Sequence, residues 1–301
     1  MSSHSYIINS KNEDIYININ GRLLKRKDAK ISVFDSGFLL GDGVWEGIRL
    51  HNSQLLFIDE HLNRLYNSAK GIDLKISLTK SQIIEQIVKV INKNQMVNDV
   101  HIRLVITRGD KITPYQNPKA NIGKINYVII AEHKKTDPKI YDEGLHIGRV
   151  NIVRPTEHIL STHLNTLSKL NCILGSIEAN KLGYDEGIMD DINGNISTCN
   201  STNLFFVMKN EVWTSTGKYC LNGITRKKVI DICEKNNITC HQKDFKYEDI
   251  SNCDEAFVTG TFAGVIPVSL LEGKSLNSTE KESLTNCIRS LLIKKLLKIN
   301  R

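Results

Sequence analysis

The apolar residues of this chain recur every second residue in some stretches and every 3.6 in others, and the order of those stretches limits the folds open to it. Ile15, Ile17 and Ile19 alternate with polar residues up to Asn20-Gly21, the dipeptide a two-residue type I′ turn prefers, so the chain opens with a β-hairpin. From Asp59 the spacing of Leu62, Leu65, Tyr66 and Ala69 predicts an amphipathic helix, with Asp59 as N-cap and Gly71 at its stop. A second helix is expected over residues 81–92. Val100, Ile102, Leu104 and Ile106 then alternate in a strand, which turns His101, Arg103, Val105 and Thr107 to its other face. A strand at 127–131 precedes a polar stretch from His133 to Pro138. Beyond it the pattern predicts a strand near 145–153, a helix over 168–182 closed by Gly183, and a hairpin pairing Asn203–Met208 with Glu211–Thr214. A helix from Thr225, a strand at 256–260 and a long C-terminal helix from about Thr279 complete the reading. There is no strict βαβ alternation, no G-x-G-x-x-G and no P-loop, so the class is α+β with two domains. The boundaries are 1–132 for a small N-terminal domain, 133–140 for a linker and 141–301 for a larger C-terminal domain.

Composition narrows the function. The 301 residues can bury a core without staples. Forty Lys+Arg against 33 Asp+Glu leave +7, a small surplus that points only weakly to nucleic acid. No apolar run approaches the ~20 residues needed to cross a bilayer, and the start lacks a charged segment followed by an apolar one. A soluble, cytoplasmic protein is expected. The seven cysteines are odd in number and include no C-x-x-C pair, so they read as reduced thiols. Lys294, Lys295, Lys298 and Arg301 make a basic helical face, read as solvated surface and not as a membrane or nucleic-acid patch.

Two Gly/Thr-rich turns carry the strongest chemical signal. Asn222-Gly-Ile-Thr-Arg226 opens a helix and so offers backbone N–H groups, a hydroxyl and the positive end of a helix dipole, which together make an anion site. Thr259-Gly-Thr261 closes a strand and can add a hydroxyl and an amide. Either alone is commonly just a cap or a turn; together they suggest a phosphate cup.

A wider resemblance runs through these turns. The segment Phe34-Asp-Ser-Gly-Phe-Leu-Leu-Gly-Asp-Gly-Val-Trp-Glu-Gly-Ile-Arg49, followed by Asp59-Glu-His-Leu-Asn-Arg-Leu65, resembles the N-terminal signature of the fold-type-IV pyridoxal-phosphate enzymes. That group holds branched-chain aminotransferases, D-amino-acid aminotransferases and aminodeoxychorismate lyases. The likeness continues in order through Ile102-Arg-Leu-Val-Ile-Thr-Arg-Gly109, Leu170-Asn-Cys-Ile-Leu-Gly-Ser-Ile-Glu-Ala179, Gly223-Ile-Thr-Arg226 and Val258-Thr-Gly-Thr261. It implies a two-domain α+β fold, pyridoxal 5′-phosphate as cofactor, an amino acid and a 2-oxo acid as substrates, and a homodimer.

Carried over residue by residue, Arg64 matches the arginine that grips the cofactor phosphate, a task suited to a permanently charged planar donor. Ile224 and Thr225 match the amide-and-hydroxyl cup, and Thr261 a further phosphate ligand. Arg103 matches the arginine that meets a substrate's distal carboxylate, and Trp45 stands where relatives wall the substrate pocket with Tyr or Phe; an ion-pair arginine and a core tryptophan are the competing readings. D-amino-acid enzymes carry Arg-x-His a few residues after Thr-Arg-Gly, where this chain has Thr113-Pro114-Tyr115, so that specificity is discounted.

Two positions depart from the pattern. Counting back thirteen residues from Glu178, the family's cofactor-anchoring lysine falls on Asn165, or on Leu164 if a one-residue insertion applies; neither can bond to the cofactor's aldehyde. The carboxylate that faces the pyridine nitrogen falls on Thr198. Lys169 matches the side chain beside the cofactor's O3′, next to the aldehyde carbon, and can take over the covalent anchor; a non-covalent role or none is the alternative. Without a carboxylate to keep the ring nitrogen protonated, the ring is a poorer electron sink, which favours elimination over full transamination. Three readings stand: a branched-chain-type aminotransferase using Lys169, a lyase or eliminase on the same fold, and a non-catalytic binder of a phosphorylated ligand. His163 and Arg154, near the altered lysine segment, have no assignable role.

Overall fold

Asn20 and Gly21 adopt φ of 53° and 88°, the doubly positive pair a type I′ turn requires, and fold strand β1 (Tyr16–Ile19) back onto β2 (Arg22–Lys25). In the computed structural model, which describes residues 2–298, this hairpin forms one edge of a six-stranded antiparallel sheet. Its other strands are β3 (Gly43–His51), β4 (Gln54–Leu55), β5 (Val100–Thr107) and β6 (Asn126–His133), in the order β2-β1-β6-β5-β3-β4. Helices α1 (Ile58–Gly71) and α2 (Lys80–Lys93) cover one face. There Leu62, Leu65, Ile83, Ile87 and Val90 pack against Val44, Ile48, Ile102, Leu104 and Ile106, each contributing roughly 1.5–3 kcal/mol by leaving water. The alternation predicted for Val100–Thr107 is present, with Arg103 turned away from this core.

Three differences from the sequence reading lie here. Helix α1 starts at Ile58 and its N-cap is Phe57, in the left-handed region with no side-chain cap; Asp59 is not the cap but an acid of the first turn, favoured by the helix dipole. Helix α2 gains a start the periodicity does not show, a capping box in which Thr79 and Gln82 satisfy each other's amides. Strand β3 was visible only as a motif, because Glu46 interrupts the inward series Val44, Ile48, Leu50.

The other unit is built on a nine-stranded mixed sheet. Along it run β7 (Leu145–Arg149), β8 (Glu186–Asp190), β9 (Ile196–Cys199), β10 (Asn203–Met208), β11 (Glu211–Thr214), β12 (Cys240–Gln242), β13 (Glu255–Gly260) and β14 (Gly264–Leu271), in the order β9-β8-β7-β14-β13-β10-β11-β12. A short β15 (Lys274–Ser275) pairs with β14. Both faces are buried. Phe205, Val207, Phe257 and Val265 face helices α4 (Ile224–Lys235) and α5 (Leu284–Lys298), while Leu204, Phe206, Val258 and Ile266 enter a second core. This explains the unbroken apolar run Leu204–Val207, which periodicity alone cannot assign.

Helix α3 spans Leu170–Lys181, two residues later than expected, and α5 starts at Leu284 and not near Thr279. The start of α5 is set from a distance: Glu255 on β13 accepts from the Leu284 and Thr285 amides at 2.9 and 2.8 Å. Strand β7 stops at Arg149, short of 153. Lys294 and Lys295 lie on α5; Arg301 and the Lys298 side chain lie outside the described residues. The units are not continuous stretches. One comprises 7–135 with Leu164–Lys169, the other residues 1–6, 136–163 and 170–301, so Lys169 groups with the N-terminal sheet and not with the C-terminal domain as read from sequence.

Candidate active site

The N-terminal unit carries two clusters on opposite faces of β3. Facing α1, Glu46 is fully buried and accepts from Arg64 Nε and Nη2 at 2.8 and 2.7 Å, with His61 Nδ1 2.7 Å from its second oxygen. His61 and Arg64 reach one carboxylate because they stand three residues apart on one helical face. Burial pushes the Glu46 carboxyl up, but the hydrogen bonds and charges of Arg64 and His61 outweigh it and hold the group below its ordinary range. Arg64 is thus oriented by a partner that sequence reasoning missed; the signal was an acid amid inward-facing aliphatics.

On the opposite face the Trp45 ring lies 3.9 Å from the Arg103 guanidinium carbon and 5.8 Å from Lys169 Nζ. Gly47, paired with Arg103 across the strands, leaves the space: a Cβ there would sit 3.0 Å from His101 Nε2 and 3.6 Å from the Trp45 ring. The structure therefore brings together Trp45, Arg103 and Lys169, drawn from three separate parts of the chain.

Lys169 arrives there because Leu164–Lys169 docks on the edge of β3. Trp45 N donates to Asn165 O at 3.0 Å and Leu167 N to Gly43 O at 2.9 Å. The Asn165 carboxamide adds a bond from Nδ2 to Trp45 O at 2.7 Å, and its backbone N donates to Ser68 Oγ of α1 at 2.9 Å. Asn165 is 1% exposed, and its amide is tied to the strand edge through Nδ2 while its Oδ1 is buried without a protein partner.

In the second unit, α4 begins at Ile224 with Gly223 as N-cap and no side chain satisfying its first amides. Gly223 sits against Asn203, whose Oδ1 a Cβ at that position would strike, and Asn203 Nδ2 donates to Leu221 O at 2.9 Å. Asn203 is paired with Thr259, so the helix start and the Thr259-Gly-Thr261 turn meet at one end of the β10–β13 pair. Arg226 braces the loop, donating to Asn222 Oδ1 at 3.2 Å and to Ser215 O at 2.6 Å. Thr259 Oγ1 is buried there with no protein partner.

Thr198 is buried near the same end and donates its hydroxyl to Thr202 O at 2.6 Å. A carboxylate of the same sheet, Glu186, accepts from Ser201 Oγ at 2.8 Å and Thr202 Oγ1 at 2.6 Å. Burial raises its pKa, and the hydroxyls of Ser3, Thr202 and Ser201 offset this only in part. Arg154 is structural, donating to Asn171 Oδ1 at 2.7 Å and Tyr219 O at 3.2 Å. No cluster of metal-ligating side chains occurs among the described residues.

The decisive comparison is with a family model. Residues 43–271, three quarters of the chain and all of the elements above from β3 to β14, match the amino-transferase class IV model. The chain belongs to the class IV aminotransferases. A putative branched-chain-amino-acid aminotransferase of Methanocaldococcus jannaschii is 34% identical over 91% of this chain and 93% of its own length. Branched-chain-amino-acid aminotransferase-like protein 2 of Arabidopsis thaliana is 32% identical over 90% of the chain, which spans only 48% of that protein. The crystal structure of the Escherichia coli branched-chain amino acid aminotransferase superposes with a TM-score of 0.86 at 27% identity, over 93% of this chain and 94% of the other. The fold is that of the fold-type-IV enzymes, as the motifs imply.

Proposed function

We propose that this class IV aminotransferase binds pyridoxal 5′-phosphate and moves an amino group between a branched-chain-type amino acid and a 2-oxo acid. The observation that carries the reading is the uncapped start of α4: free amide donors and the Thr225 hydroxyl form a donor set suited to a phosphate dianion. Ile224, Thr225 and Thr261 would hold the phosphate; Arg64, whose planar fork Glu46 keeps in a fixed orientation, matches the family's phosphate arginine by its motif alone. When bound, the cofactor supplies an aldehyde for the amino group and a ring that withdraws electrons from the α-carbon.

The chain's own residues divide the remaining work. Lys169 would take over the covalent hold on the cofactor from the Asn165 position, and its amine would take and return the α-proton. Arg103 would meet the distal carboxylate of the amino-group acceptor, and Trp45, whose ring lies 3.9 Å from the Arg103 guanidinium carbon and 5.8 Å from Lys169 Nζ, would wall the pocket. The motif assigns Thr198 to the ring nitrogen, where a hydroxyl would not pair with a pyridinium as a carboxylate does. A homodimer is favoured by α3, where Leu170, Ile173, Leu174 and Ile177 expose 66, 51, 42 and 45% of their surface along one helical stripe. Seven free cysteines fit a reducing, cytoplasmic setting, and no helix among the described residues is long and apolar enough to cross a membrane.

The test is a panel of amino acids with 2-oxoglutarate, scored for glutamate and for ammonia. Glutamate formation with leucine, isoleucine or valine supports transfer. Ammonia without glutamate supports the second reading, a lyase on the same fold, which the Thr198 hydroxyl bound to Thr202 favours. Neither product, with the phosphate ligand still bound, supports a non-catalytic binder.

A further inference from the structure

We infer that His163 is a positioning residue for the phosphate cup, acting through Asn222. The inference rests on the reading of the α4 start as that cup and adds a residue to it. Asn222 immediately precedes Gly223, and its carboxamide is held on two sides. Arg226 Nη1 lies 3.2 Å from its Oδ1, and His163 Nδ1 lies 3.3 Å from its Nδ2. On the far side of the imidazole, His163 Nε2 lies 3.1 Å from Glu157 Oε1.

The polarity of this row follows from its ends. A guanidinium only donates, so the oxygen of Asn222 faces Arg226 and its NH₂ faces His163. His163 Nδ1 must then accept, which puts the ring proton on Nε2, where the Glu157 carboxylate accepts it. Four side chains thus form one directed series, Arg226 to Asn222 to His163 to Glu157, and reversing any one would set donor against donor or acceptor against acceptor. Gly217 lies beside the same carboxamide, where a Cβ would strike Asn222 Oδ1, so this arrangement of Asn222 requires a glycine at 217. Arg226 also holds Ser215 O at 2.6 Å, which fixes the series to the sheet. Its effect is to hold the residue before the cup in the one orientation that leaves Gly223, Ile224 and Thr225 set for an anion. His163 touches neither cofactor nor substrate in this account.

The test compares the dissociation constants of pyridoxal 5′-phosphate and of pyridoxal, which lacks the phosphate, for the full chain and two variants. Removing one exposed link of this kind is expected to cost about three- to tenfold. His163→Leu, which has no acceptor, should weaken pyridoxal 5′-phosphate by that factor and leave pyridoxal unchanged. His163→Asn, whose oxygen occupies the place of Nδ1, should recover most of the loss. Unchanged binding of pyridoxal 5′-phosphate by His163→Leu, equal loss for both ligands, or failure of His163→Asn to rescue would overturn the inference. A wild-type chain that does not prefer pyridoxal 5′-phosphate over pyridoxal would instead overturn the cup reading itself.

Discussion

Glu46 occupies a strand position flanked by Val44 and Ile48, and it is tolerated there only because His61 and Arg64 meet it. Removing one member of a buried charged group leaves the others unpaired, so Glu46→Gln should cost about 3–5 kcal/mol of stability, read as a lower denaturant midpoint. Its folded pKa is depressed, so the stabilisation is present above the unfolded glutamate value of about 4.3 and is lost as pH falls below it. Glu186 has the opposite sign. Its folded pKa is raised by burial, so folding favours the protonated form and this group's contribution declines as pH rises above about 4.3. Glu186→Gln, which removes the buried charge, keeps one acceptor oxygen and offers an NH₂ to the other hydroxyl of the Ser201–Thr202 pair, should raise the melting temperature at pH 7 and flatten its pH dependence; a lower melting temperature would contradict this.

Among the elements, α4 and α3 carry separate consequences. Gly223→Ala places a methyl against Asn203 and should displace the start of α4, weakening pyridoxal 5′-phosphate far more than pyridoxal in a binding titration. Leu174→Glu puts a charge in the exposed stripe of α3, opposite the buried Gly175 and Ala179, and should convert a dimer to a monomer in sedimentation without altering the melting temperature of the monomer. Elements with uninterrupted periodicity, such as α1, α2 and β5, were legible from the residues alone. Those defined by distant partners were not: α5 is started by Glu255, and α3 is shortened because Leu164–Lys169 is paired to β3. Local pattern carries no trace of such bonds.

For the whole molecule, the ordered motifs from Phe34 to Val258 were enough to place the chain in its family, and the class IV match over residues 43–271 agrees. The motifs also pointed to Arg64, Thr225 and Thr261 through their side-chain donors and to Ile224 through its place at the helix start, where the backbone amide is the donor. They did not show Glu46, Asn203, Asn222 or His163, whose roles depend on what they orient. Nor did they show that Lys169 stands beside Trp45 and Arg103, a neighbourhood created by a segment crossing back to the first sheet. The central claim is that Lys169 replaces the lysine absent at Asn165. Borohydride reduction of the protein with pyridoxal 5′-phosphate, followed by peptide mass spectrometry, tests it most directly. The account predicts a phosphopyridoxyl group on Lys169 and its disappearance in Lys169→Met. Label on a different lysine, or complete loss of the cofactor on gel filtration after reduction, would contradict it.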